Sequence, residues 1–133
     1  MKEFKDGDLV MARYIPAAEA WAGGLSFFSQ DQEYIQAGTW GYDEGKKLLP
    51  HIHNEVKREV MWTQEVIFVK TGKIIAHVFN QKEEKMSDVE VGEGDIIILL
   101  RGGHGYTIAQ NGTQVLEVKN GPYVGPDLDR RRF

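Results

Sequence analysis

Four histidines occur in this chain of 133 residues, and three of them fall where a single site could gather them. His51 and His53 form a His-x-His pair, and on a β-strand residues i and i+2 point to the same face, so both imidazoles can be presented to one ion. Glu65 follows downstream, and His104 stands behind the pair Gly102-Gly103. Imidazole and carboxylate together suit zinc, iron, nickel or manganese. The chain has no cysteine, so thiolate ligation and disulfides are excluded and only nitrogen and oxygen donors remain. Three neutral imidazoles and one carboxylate leave a divalent ion positively charged with open positions, which favours chemistry over a purely structural role. One divalent transition metal per chain is therefore expected at His51, His53, Glu65 and His104. Glu55 and Glu59 compete with Glu65 for the carboxylate position. His77 lies in Ile74-Ile75-Ala76-His77-Val78-Phe79, with no carboxylate or histidine at ligand spacing, and is read as structural.

Around this set stand further groups with possible roles. Tyr106 shares a strand face with His104 and Ile108, which places its phenol beside the proposed ion, either as a catalytic group or as interior filling. His51 and His53 could also transfer protons themselves. Arg101, next to the glycine pair, and Arg58, in the segment after His53, are candidates to hold an anionic substrate. A metal with an open position and a guanidinium together select a small oxygen-rich molecule bearing a carbonyl, carboxylate or phosphate.

The elements that must position these residues read as strands. Glycine occurs 15 times, between short runs rich in Val, Ile, Phe, Tyr and Thr, which is the punctuation of an all-β domain. The only helical signal is a single turn from Pro16 to Trp21. Strands are expected at Leu25 to Ser29, Tyr34 to Tyr42, Glu65 to Lys70, Lys73 to Phe79, Ser87 to Val91, Ile96 to Leu100, His104 to Gln110 and Gln114 to Lys119. Thr71-Gly72 and Asn111-Gly112 read as tight hairpin turns. If Glu65 faces inward, so do Ile67 and Val69, while Gln64, Val66 and Phe68 face the other way. With apolar residues on both faces, this sheet should pack on a second sheet or another subunit. A homodimer is thus expected, with Trp21, Phe27, Phe28 or Phe68 in contact. At least seven strands at this spacing imply a sandwich or barrel.

Composition narrows the function classes. The length fits one domain, residues 1–133, with 41% hydrophobic and 27% charged residues, a globular balance. A net charge of −4 without a basic stripe argues against nucleic acid as partner, and Arg130-Arg131-Arg132 is too short to reverse that. No run approaches membrane-spanning length and the N-terminus lacks a signal-peptide core, so a cytoplasmic protein without a membrane partner is expected.

The motif-bearing part of the chain, about 39–119, resembles the cupin superfamily. The first cupin motif, G-x5-H-x-H followed by E-x6-G, is filled by Gly45, His51, His53, Glu65 and Gly72, with a longer stretch than usual from Asn54 to Gln64. The second motif is matched by Gly94, Gly102 and His104, with Leu100 at its proline position and Ile108 at its asparagine. The resemblance implies a double-stranded β-helix, or jelly-roll barrel, preceded by an N-terminal extension, with His51, His53, Glu65 and His104 holding a metal in the barrel mouth. It also implies a small polar metabolite as ligand, turned over by a sugar or sugar-nucleotide isomerase or epimerase or by a dioxygenase, or held without turnover by a sensor or binding domain. In some sugar isomerases that look like cupins, a His-x-His pair does acid-base work without metal, which leaves His51, His53 and Tyr106 as candidate catalytic residues.

Overall fold

A computed structural model describes all residues, Met1 to Phe133. The chain is 44% strand and 6% helix, and all its sheets are antiparallel, as an all-β reading requires. A five-stranded sheet has the order β1 (Lys2–Asp6), β2 (Leu9–Ile15), β8 (Ile96–Leu99), β5 (Glu65–Thr71), β10 (Gln114–Lys119). A three-stranded sheet has the order β7 (Lys85–Gly92), β6 (Lys73–Phe79), β9 (Gly103–Ile108). A separate hairpin joins β3 (Gly24–Phe27) to β4 (Gly38–Gly41). Helix is confined to two single turns, α1 (Ala17–Ala20) and α2 (Pro126–Asp129). No helix is long and apolar enough to cross a membrane.

Strand alternation builds the core. On β5 the buried residues are Glu65, Ile67 and Val69, as period 2 requires, and on β6 they are Ile74, Ala76 and Val78. These two rows meet across the space between the sheets, joined by Met11, Val89, Val91, Ile97 and Leu99. Strand β8 is buried at every position, so its Ile-Ile-Ile-Leu run has no polar face. Ile96, Ile98 and Leu100 pack on its far side against Ile15, Ala20, Phe28 and Ile35. Within this second cluster Arg13 is only 1% exposed. All five of its N–H groups are used, by Glu3, by Glu33 and by the Phe28 carbonyl.

Two expected hairpins are corners instead. Thr71-Gly72 and Asn111-Gly112 do turn the chain, yet β5 pairs with β8 and β10 while β6 pairs with β7 and β9. The reason is the core: the inward rows of β5 and β6 must face each other across it, which side-by-side pairing would prevent. Residues 65–79 and 103–119 therefore run antiparallel along most of their length and bend together from one sheet into the other. At the bend Gly72 has φ +81°, and a Cβ there would collide with Thr113, whose hydroxyl accepts the Lys73 N–H at 3.1 Å.

The expected strands at Leu25 to Ser29 and Tyr34 to Tyr42 shorten to β3 and β4. Residues 42–64 contain no strand or helix, so His51 and His53 do not lie on one. No neighbouring strand pairs with this segment, and its charged residues remain solvated, Lys57 and Glu59 included.

Candidate functional site

A cluster of four polar side chains lies between the sheets, at the end where β5 begins. Glu65 is the first residue of β5 and falls on the inward row, so its carboxylate is drawn into the core margin with a side chain only 9% exposed. Three strand positions converge on it. Register places Lys119 of β10 directly opposite, and its Nζ lies 2.8 Å from Glu65 Oε1. His104 Nε2, on β9 of the other sheet, lies 2.9 Å from Oε2, and the Tyr106 hydroxyl donates to the same oxygen at 3.4 Å. His104 and Tyr106 share a face, with ring centroids 5.6 Å apart. The cluster reaches solvent through His104 and Lys119, whose side chains are 27% and 30% exposed.

Electrostatics fixes the protonation of three members. Burial alone would push the Glu65 carboxyl up, but the His104 and Lys119 contacts outweigh it and hold Glu65 at about 2. Burial, reinforced by the Glu65 charge, pushes the Tyr106 phenol well above its ordinary value, so it stays protonated. Lys119 is raised by hydrogen bonds to Glu117 and Glu65 and stays cationic. The site is thus an ionised carboxylate surrounded by donors. Because that carboxylate accepts from His104 Nε2, a neutral His104 ring keeps its proton there and leaves Nδ1 free.

Of the four expected metal ligands, the structure brings together Glu65 with His104, and His51 with His53. The second pair has ring centroids 5.0 Å apart and lies on the exposed stretch 42–62, where His51 Nδ1 reaches only the Leu49 carbonyl, at 3.4 Å. No three His, Asp or Glu side chains are arranged so that they could hold a metal. The Lys119 ammonium already lies on the Glu65 carboxylate, where a cation would compete with it. As arranged, then, the four donors do not form one centre. Glu55 and Glu59 are exposed on the same segment as the two histidines.

The other expected residues are placed separately. Arg58 is exposed on segment 42–64, and its Nη1 donates to the Val56 carbonyl at 3.3 Å. Arg101 stacks over Trp62, 4.2 Å from the ring centroid, and lines a cleft of about 160 Å³ with Asp8, Glu33, Tyr34 and Gln64. None of the residues lining this cleft belongs to the Glu65 cluster. His77, on the outer side of the three-stranded sheet, contacts Asp88 through Nδ1 and Thr107 at 2.8 Å through Nε2, a cross-strand polar ladder. Lys119 is the member that sequence spacing missed. Only the β5/β10 register brings it to Glu65, and no local pattern announces that pairing. No family model, curated protein or solved structure matches the chain.

Proposed function

We propose that this protein is a cupin-type jelly roll that binds a small, oxygen-rich metabolite at Glu65, His104, Tyr106 and Lys119 and moves a proton on it, the chemistry of a sugar or sugar-nucleotide isomerase or epimerase. The observation that carries this reading is a nearly buried carboxylate contacted by three proton-bearing side chains from two different sheets. Glu65 orients the imidazole, which leaves His104 Nδ1 as the base for a C–H beside a carbonyl. Lys119, which has one N–H left after Glu65 and Glu117, is the donor available to the oxygen on which negative charge then develops. A hydroxyl-rich ligand also matches the polarity of the cluster. Incubating the protein in D2O with sugar phosphates, sugar nucleotides and oxo acids tests this directly. Deuterium should enter the carbon beside the carbonyl of one class, and His104→Ala should abolish the exchange. Saturable binding without exchange would leave a binding or sensor domain, and neither binding nor exchange would reject the site.

A second reading, metal ligation by His51, His53, Glu65 and His104, is favoured by a specific observation. From 51 to 59 every odd position is polar (His51, His53, Glu55, Lys57, Glu59), with Ile52, Val56 and Val60 on the opposite parity beside Asn54 and Arg58, yet the segment lies unpaired and exposed. Strand β9, which carries His104, has an unpaired edge. A divalent ion held by these residues would supply Lewis-acid or redox chemistry beside the same ligand. Protein offered zinc, nickel, manganese and ferrous iron in turn should then hold about one equivalent of one of them, lost on His51→Ala or His53→Ala and kept on His77→Ala. Equal loss in all three variants, or no metal in any, rejects it.

A further inference from the structure

Strand β10 is the last strand of the five-stranded sheet, and all six of its residues are exposed. Its ladder with β5 determines which backbone groups remain unpaired. The Asn120 N–H bonds the Gln64 carbonyl, while Val69 exchanges bonds with Gly94 and Asp95 on the β8 side. Residues 116, 118 and 120 therefore point their backbone groups at β5, and Val115, Glu117 and Lys119 point theirs outward. An edge of this kind, with outward donors and acceptors and exposed apolar side chains beside it, is a template for another strand. Leu116 is 57% exposed and Val118 46%. They lie opposite Phe68 and Val66, and Phe68 packs edge-on against the half-exposed Trp21, so an apolar strip runs up to the edge.

We propose that this edge pairs with the same edge of a second copy, antiparallel about a two-fold axis at Val118, to give one continuous sheet across a homodimer. The charge pattern selects both the partner and the register. The outward residues of two β10 strands can be paired in several registers, and the one centred on Val118 sets Glu117 opposite Lys119 twice. Centring on Glu117 would oppose two glutamates, and centring on Lys119 two lysines. The Val118 register also joins Leu116 and Val118 of both copies into a single apolar strip, and it keeps paired side chains on the same face, as an antiparallel ladder demands. Glu117 and Lys119 lie on the face that carries Glu65, so each copy would bring a charged pair to the margin of the other's cluster.

Sedimentation velocity of the full chain over a concentration series tests the proposal. The wild type should sediment as a dimer at micromolar concentrations. Glu117→Lys, which opposes two lysine pairs across the axis, should weaken association about tenfold or more. Glu93→Lys makes the same change in net charge at an exposed turn away from the edge and should leave association unchanged. Glu117→Pro removes an outward donor without touching the β5 ladder and should also give monomer, with far-ultraviolet circular dichroism confirming that each variant is folded. A wild type that stays monomeric at about 100 μM, far above a micromolar dimer's Kd, would overturn the proposal. So would a dimer indifferent to both changes at position 117, or one weakened as much by Glu93→Lys.

Discussion

Replacing Glu65 with glutamine perturbs the centre of the cluster while keeping its size, and it separates the carboxylate's charge from its shape. Gln is the nearest permanent mimic of the protonated acid. The free energy it costs is therefore that of protonating Glu65 in the folded chain relative to the unfolded one. The folded carboxyl sits at about 2, against an ordinary value of 4.5. That depression of roughly 2.5 units, at 1.36 kcal/mol each, amounts to about 3 kcal/mol. Because the folded value is the lower, the contribution is fully present above about pH 4.5 and is lost as pH falls towards 2, where the folded carboxylate also protonates. Urea unfolding of wild type and Glu65→Gln from pH 5 to pH 2 should show a gap of about 3 kcal/mol at pH 5 that narrows below pH 4.5 and nearly closes at pH 2. The lowered carboxyls of Glu3 and Asp88 titrate in both proteins and cancel in the difference. A gap below about 1 kcal/mol at pH 5, or one that does not change as pH falls to 2, would refute the claim that His104 and Lys119 hold Glu65 ionised.

Two further outcomes follow from the core. Arg13→Met should destabilise the chain by about 3 kcal/mol, because Glu33 and Glu3 lose the buried guanidinium that neutralises them, and adding Glu33→Gln should recover part of the loss. A neutral Arg13→Met, measured by urea unfolding, would contradict this. Gly102→Ala should cost about 2 kcal/mol or more, since Gly102 has φ +69° and the new Cβ would come within 2.2 Å of the Phe79 carbonyl oxygen. A variant with unchanged melting temperature would mean that the backbone beside His104 shifts freely.

Local pattern carried much of this architecture and long-range register carried the rest. Alternation in Glu65-Val66-Ile67-Phe68-Val69 groups Glu65, Ile67 and Val69 on one face, which the structure shows to be the buried one, and it also places Tyr106 beside His104. Strands β1 and β2 lie in the part of the chain that the cupin resemblance leaves as an N-terminal extension. The Asp6-Gly7-Asp8 turn between them is itself a hairpin signal, but the charges in Lys2-Glu3-Phe4-Lys5 obscure the alternation of β1. Turn residues at Gly72 and Gly112 were legible as turns, but not as corners. A bend and a hairpin share the same positive-φ glycine, and only the core decides which forms. The His-x-His pair was legible as chemistry, but its strand required a ladder partner that a spacing pattern cannot supply. Lys119 and the Arg13 network stayed hidden for the same reason. Each depends on residues that are distant in the chain and adjacent only once the sheets pair.

The most direct test of the account is to watch the four imidazoles while a ligand binds. Long-range proton–nitrogen spectra of labelled protein resolve His51, His53, His77 and His104, so the chain carries its own controls. Titration with sugar phosphates, sugar nucleotides and oxo acids should move the His104 ring and the Lys119 ammonium saturably for one class, leave His77 unmoved, and lose the effect in Glu65→Gln. Shifts confined to Trp62, Gln64 and Arg101 would transfer the ligand to the separate cleft, and a His104 ring unmoved by every class would contradict the assignment of this cluster as the functional site.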